Sequence, residues 1–455
     1  MKQVPINQKI ILYNFMKNLN KKKNSGQRLW TKAKNSIAGG NMLFSKRPDI
    51  FLPEFWPCYF KKTKGCEVTD LDNKTYYDLS QMSVGTNTLG YSNKKVDDAV
   101  KKVIEKGNMS TLNAPEEVYL AEKLLKMHTW ADKVRFARSG GEANSIAIRL
   151  ARATASKKNI AFCGYHGWHD WYLAANIKSN NLSNHLLNGL NIDGVPKTLK
   201  NTIFPFKYNN FKSLQEIIKK KNIGIIKMEV VRNEMPKNNF LKRVRDIATK
   251  NNIILIFDEC TTGFRQTYGG IHKMFKVNPD MVILGKALGN GYAITAVLGK
   301  NKIMDNIKNT FISSTFWTER IGSVAALKTL EEMEKTKSWI KITKIGIEVR
   351  KNWNKIAKKN NLEITISGIP ALSSFAFKSK KNNLYKTFIT QEMLKKGFLA
   401  SNVIYTSVAH NKKILKKYYK ELDTVFKKIK KFEEGQNTDD CLRIKESTQS
   451  FARLN

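Results

Sequence analysis

From about residue 133 the chain alternates short apolar runs with amphipathic stretches of helical spacing. The runs are Val134 to Ala137, Asn159 to Cys163, Ile223 to Val230, Ile253 to Phe257, Met281 to Leu284 and Ala293 to Leu298. Between them lie helical patterns such as Glu142 to Ala155 and Phe240 to Asn251. Runs this short, mostly apolar rather than alternating, read as strands buried on both faces. Strand–helix alternation predicts an α/β fold with a mostly parallel sheet flanked by helices. Upstream, Lys94 to Lys106 places Val96, Val100, Val103 and Ile104 on one helical face, and Glu116 to Lys126 is a second helix. Gly65 to Asp78 alternates around Asp70-Leu71-Asp72-Asn73, a hairpin signature. Residues 1–60 read as irregular, and after residue 322 long helices begin (Val324 to Glu334, Trp339 to Lys359). The tail from Glu433 onward reads as polar and loose. These shifts divide the chain into an N-terminal arm with part of a small α+β domain (1–91), a large domain (92–325) and the rest of the small domain (326–455).

The 455 residues carry 80 Lys and Arg against 38 Asp and Glu, a formal charge of +42. Such a charge raises the possibility of a nucleic-acid-binding protein. The lysines are spread over nearly the whole length, among abundant Asn and Ile, rather than gathered in one tail or motif. Compositional drift therefore explains them better than a nucleic-acid partner. No apolar run is long enough to span a bilayer. The five cysteines are an odd number without a C-x-x-C pair, which fits a reducing compartment. The basic N-terminus carries only Ile10 to Tyr13 as an apolar run, too short for a signal-peptide core. The expectation is a cytoplasmic protein.

In open α/β sheets ligands sit beyond the carboxyl ends of the strands. Three strand ends stand out there. Arg138-Ser139-Gly140-Gly141-Glu142-Ala143 leaves a strand and opens a helix, so its amides and the helix dipole favour a phosphate. Asp258-Glu259 puts an acidic pair at the end of a strongly apolar strand, where a buried carboxylate needs a partner. Gly285-Lys286 puts an amine at another strand end, in a glycine-flanked loop ending at Gly289-Asn290-Gly291. Each feature has an ordinary explanation: a tight turn, a helix cap, a solvated lysine. Together they meet the needs of pyridoxal 5′-phosphate: phosphate on the helix N-terminus, Asp258 on the pyridine nitrogen, Lys286 on the aldehyde. His166, His169 and Asp170 could resemble metal ligands, but imidazoles beside the cofactor or in the core fit better, and no metal is expected.

The chain resembles class III, fold-type I pyridoxal-phosphate aminotransferases, especially their glutamate-1-semialdehyde 2,1-aminomutase branch. Ser139-Gly140-Gly141-Glu142-Ala143 is similar to the family's Ser-Gly-Thr-Glu-Ala, and Tyr165-His166-Gly167 to its Tyr-His-Gly. Asp258-Glu259, Gly263-Phe264-Arg265, Asn278-Pro279-Asp280 and Gly285-Lys286 follow its core signature, with Lys286 28 residues after Asp258. The resemblance implies Lys286 and Asp258 as catalytic residues. It implies cofactor contacts from Ser139, Gly140, Gly141, Tyr165 and His166, with Tyr165 covering the ring. Thr315 resembles the threonine that reaches the phosphate of the partner subunit, which implies a homodimer with active sites at its interface. Glu229 resembles an acidic residue opening a substrate-side loop.

Four positions depart from the family pattern. Gly141 replaces a hydroxyl residue, and Val230 replaces the proline after the strand-end Glu. Thr315-Phe316-Trp317 lacks the usual Gly-Asn-Pro. Gly39-Gly40-Asn41 leads into Met42-Leu43-Phe44-Ser45, where aminomutases have Ser-Pro-Val-Arg for a substrate carboxylate. The expected reaction is amino transfer between a small-molecule donor and a carbonyl acceptor. The apolar Met42–Phe44 segment and Trp317 point to an acceptor such as a keto- or aldehydo-sugar. The aminomutase reaction, which moves nitrogen within one substrate, is the alternative.

Overall fold

The computed structural model describes residues 24–177, 182, 192–231, 233–438, 441–442 and 446–448. The basic cluster Lys21 to Lys23 lies outside the described residues. Strands β1 (Phe60–Lys64), β2 (Glu67–Asp70) and β3 (Thr75–Leu79) form an antiparallel meander. Asp70 makes the predicted β2–β3 hairpin, because its Oδ1 accepts the amides of Asp72 and Lys74, both at 2.9 Å. Asn73 takes the left-handed position that Asn tolerates better than most residues.

The central sheet has seven strands: β4 (Lys133–Ala137), β5 (Asn159–Cys163), β6 (Ile203–Pro205), β7 (Ile223–Glu229), β8 (Ile254–Glu259), β9 (Met281–Leu284) and β10 (Thr295–Gly299). Their order is β4-β10-β9-β8-β7-β5-β6, and β10 alone runs against its neighbours. Every residue of β7, β8, β9 and β10 is buried, which is why these strands are mostly apolar in sequence, with Lys227 and Glu229 in β7 and Asp258 and Glu259 in β8 as charged exceptions. Ile225, Ile254 and Ile256 face the cluster built with the helix Gly140–Thr154. Ile226, Leu255 and Phe257 face the opposite cluster, with the helices Phe240–Lys250 and Arg320–Thr336. Burying each of these side chains contributes about 1.5–3 kcal/mol relative to leaving it in water. β6 escapes sequence reading because it is a three-residue edge strand ending in Pro205, which has no N–H for a ladder.

The C-terminal third adds β11 (Ile364–Ser367), β12 (Leu372–Phe377), β13 (Phe398–Ala400) and β14 (Val403–Tyr405). β11, β12 and β14 form a small antiparallel sheet, while β13 pairs in parallel with β3. One sheet thus joins both ends of the chain. Helices Ser338–Lys359, Asn382–Lys395 and Lys412–Glu433 pack around Trp353, Phe375, Tyr418 and Phe426.

Two expectations are corrected. Residues 25–36 form a helix, capped by Asn24, whose side chain accepts the amide of Gln27. Gln27 in turn donates to Trp56 O at 2.7 Å, a tertiary anchor that periodicity does not reveal. The described part of the tail is also docked. Ser447 is buried against Thr387, and Thr448 reaches Asp49.

Candidate active site

The loop after β4 becomes the start of the fifteen-residue helix Gly140–Thr154. Ser139 is its N-cap: its Oγ accepts the Glu142 amide, and the Glu142 carboxylate accepts the amides of Ser139 and Arg138. This capping box fixes the turn. Ala143 N–H donates to Ser139 O. The amides of Gly140 and Gly141 make no hydrogen bond among the described residues, at the positive end of the helix dipole. A Cβ at Gly141 would stand 2.9 Å from His169 Nε2, and one at Gly140 would stand 3.1 Å from Cys260 Sγ. Glycine at both positions lets His169 and Cys260 pack close against this turn.

Asp258, at the end of β8, is buried. Its Oδ1 accepts the Cys260 amide at 3.1 Å, and its Oδ2 faces His166 Nδ1 at 2.8 Å. His166 Nε2 faces Cys163 O at 3.1 Å, so both ring nitrogens are held. Burial lowers the His166 pKa against the opposing pull of Asp258. A buried ammonium, Lys227 of β7, lies 3.8 Å from Asp258 Oδ2. Burial alone would raise the Asp258 carboxyl, but the Lys227 charge and the bonds from His166 and Cys260 hold it below the usual carboxylate range.

Lys286 follows β9 and begins a short 3-10 turn. Its Nζ donates to Thr261 Oγ1 at 3.1 Å, in the loop after β8. That loop is pinned by buried Glu259, which accepts from Thr262 Oγ1, from the amides of Ile271 and His272, and from His272 Nδ1. The Lys286 turn is clamped at its far end by Asn290. Asn290 accepts the Leu89 amide at 3.0 Å and donates to Gly90 O at 3.0 Å, while Asn87 donates to its carbonyl at 2.9 Å. A Cβ on Gly285 would lie 2.5 Å from Cys260 Sγ. Cys260 therefore touches both the Gly140 turn and the Lys286 turn, and the three strand ends meet around it.

This arrangement fits pyridoxal phosphate. Two open amides at a helix N-terminus suit a phosphate, a buried carboxylate held charged suits the ring nitrogen, and an amine suits the aldehyde. The family model of class-III aminotransferases matches residues 53–429. The chain belongs to the class-III aminotransferases. It is 33% identical over 373 residues to a 3-aminobutyryl-CoA aminotransferase of Cloacimonas acidaminovorans, covering 80% of this chain and 86% of that one. It is 32% identical over 435 residues to a glutamate-1-semialdehyde 2,1-aminomutase of Nitrosopumilus maritimus, covering 89% and 100%. The fold matches the PLP internal aldimine form of the FumI protein of Sphingopyxis sp. MTA144 at a TM-score of 0.81, with 23% identity over 91% of this chain and 99% of that one. An ω-transaminase of Sphaerobacter thermophilus matches at 0.77, with 19% identity over 90% and 98%. The protein is a fold-type I, pyridoxal-phosphate-dependent enzyme of amino-group transfer.

Other family positions fall around the same centre. Tyr165 is half-buried, its amide donating to Glu229 Oε2 at 3.1 Å and its ring edge-on to Tyr172 at 6.1 Å. His169 does not join His166; its Nδ1 faces Ser145 Oγ at 2.7 Å. Thr315 is exposed on a short turn. That turn and Glu319 just after it are tied to the start of the helix Gly140–Thr154. Trp317 Nε1 donates to Glu142 Oε1 at 3.1 Å, and Arg138 pairs with Glu319 at 2.9 Å. Met42, Leu43 and Phe44 are exposed. A cavity of about 310 Å³ lies beside the Lys286 turn, with Asn87, Tyr91 and Gly291 in its wall. Ser83 and Val84, also in that wall, have φ of 55° and 57°. Left-handed backbone at a β-branched residue is strained and gathers at working sites.

Sequence reading did not find Thr261, Lys227 or Asn290. A hydroxyl residue directly after Asp258-Glu259-Cys260 was the signal available for Thr261. A lysine interrupting the apolar run from Ile223 was the signal for Lys227.

Proposed function

We propose that this enzyme transfers an amino group between an amino donor and a carbonyl acceptor, with Lys286 and Asp258 as catalytic residues. The observation that carries the reading is the meeting of Lys286, Asp258 and the Gly140–Gly141 amides around Cys260. When bound, the cofactor supplies an electron sink for the bonds at the donor's amine-bearing carbon. Asp258, kept ionised in its buried place, holds a proton on the ring nitrogen. Lys286 anchors the aldehyde. As a free amine it would carry a proton at that carbon, and in this structure its Nζ donates to Thr261 Oγ1 at 3.1 Å. The amides of Gly140 and Gly141 hold the phosphate together with Ser139, and the Tyr165 ring limits tilt of the pyridine. His166 fixes Asp258 at 2.8 Å, which keeps the carboxylate aimed.

Thr315 belongs, in this reading, to the site of a second copy, so the working unit is a cytoplasmic homodimer. We also propose the division into segments 1–91, 92–325 and 326–455, the middle one holding the cofactor. The favoured acceptor is a keto- or aldehydo-sugar. The support is the absence of an arginine at the Met42–Phe44 segment, where aminomutases carry one for a carboxylate. The extensive similarity to aminomutases favours intramolecular transfer as a second reading. Candidate keto-sugars incubated with glutamate as donor test the first, by visible absorbance of the bound cofactor. No conversion of the cofactor to its amine form by glutamate, and no amino-sugar product, would discard it. Turnover of glutamate-1-semialdehyde without any added donor would select the second.

A further inference from the structure

Lys227 puts a charge where the fold provides for an aliphatic side chain. It sits on β7 two residues after Ile225, and its in-register neighbours on β5 and β8 are Phe162 and Ile256. All three neighbours belong to one apolar cluster. The Lys227 side chain is wholly buried, and its Nζ finds no hydrogen-bond partner among the described residues. An ammonium in such a place is costly unless an opposite charge accompanies it. That charge is Asp258, whose Oδ2 lies 3.8 Å away and is the same oxygen that His166 Nδ1 approaches to 2.8 Å. Glu229, two residues further along β7, adds weaker attraction. The carboxylate expected to serve the cofactor's ring nitrogen is therefore engaged from below by a second cation.

We propose that Lys227 is a positioning residue that shares the Asp258 carboxylate with the cofactor's ring nitrogen and so sets how strongly that nitrogen holds its proton. The inference rests on the reading of this centre as the pyridoxal-phosphate site. A cationic ring nitrogen beside a lone carboxylate feels that carboxylate's full attraction. A second cation a few ångströms away subtracts from that attraction, and in a buried site the subtraction is poorly screened. Lys227 thereby does two things. It keeps Asp258 ionised before the cofactor arrives, and it moderates the pull of Asp258 on the ring once the cofactor is bound.

The test compares the binding of pyridoxal 5′-phosphate with its 1-deaza analogue, in which a C–H replaces the ring nitrogen. Dissociation constants are measured for the full-length wild type, Lys227→Met, Lys227→Gln and Lys227→Arg. In the two uncharged variants the bonds from His166 and Cys260 remain, and the ring nitrogen is the one cation left for the Asp258 carboxylate. Their preference for the natural cofactor over the analogue rises by about tenfold, the equilibrium equivalent of one pKa unit. Lys227→Arg keeps the wild-type preference. If either uncharged variant folds and its preference equals that of the wild type, the inference fails while the cofactor reading stands; a purely structural lysine gives this result, because both ligands weaken together. Unfolding of both uncharged variants likewise makes Lys227 structural and overturns the inference. If the wild type binds neither ligand, the cofactor reading falls and this inference with it.

Discussion

The proposed chemistry rests on two side chains at the ends of neighbouring strands, Asp258 on β8 and Lys286 just past β9. Lys286→Ala lowers turnover at least about 1,000-fold, because the mobile amine is lost. The phosphate turn and Asp258 remain, so cofactor still binds without a covalent link; absorbance spectra and denaturing mass spectrometry check both points. Asp258→Asn keeps the fold and loses on the order of 100-fold or more in kcat, since a neutral amide cannot hold a proton on the ring nitrogen. Stopped-flow traces of the half-reaction with a reactive donor measure it. Both residues were legible in the sequence because each ends a run so apolar that a charge there needs a reason. Lys227 was not. Among 80 basic residues, one lysine inside an apolar run reads as a local break, and only the register with Ile256 shows it buried beneath Asp258. Thr261 was hidden for a similar reason: its contact spans 25 residues of chain.

The turns after the strands set the distances. Gly140 and Gly285 both border Cys260 Sγ, and a Cβ on Gly285 would lie only 2.5 Å from it. Gly285→Ala therefore displaces the Lys286 turn and weakens cofactor binding by about tenfold. Cys260→Ala, combined with it, restores most of that affinity, the signature of two contacting residues. Cofactor titration of the four proteins checks this, and additive losses would contradict it. The strands carrying these turns were readable to within a residue or two, as β5 and β9 show. Elements fixed by tertiary contact were not. β6 is a three-residue edge, and the helix Ser25–Ser36 is held by Gln27 on Trp56. The left-handed Ser83–Val84 backbone also leaves no mark in residue type.

At the scale of the molecule, charge and burial make further predictions. Burial brings His128 from 6.5 down to about 4. The unfolded imidazole therefore takes up a proton below pH 6.5 that the folded one refuses until about pH 4. Stability from this group is complete above pH 6.5 and is lost as pH falls toward 4, by up to about 3 kcal/mol. Thermal unfolding across that window checks the slope, and His128→Gln flattens it. Phe311 and Phe316, close to Thr315 in sequence, are 93% and 70% exposed, apolar surface that a partner would cover. Sedimentation equilibrium is expected to give twice the chain mass, and Phe316→Asp to shift the protein toward monomer with loss of activity. A wild type that sediments as an active monomer would remove Thr315 from the site. The catalytic expectations depend on where the cofactor is joined to the chain. Borohydride reduction of the freshly isolated protein, followed by peptide mass mapping, reads that position directly. The account predicts a pyridoxyl-phosphate adduct on Lys286; an adduct on another lysine, Lys227 included, or no adduct at all, would contradict it.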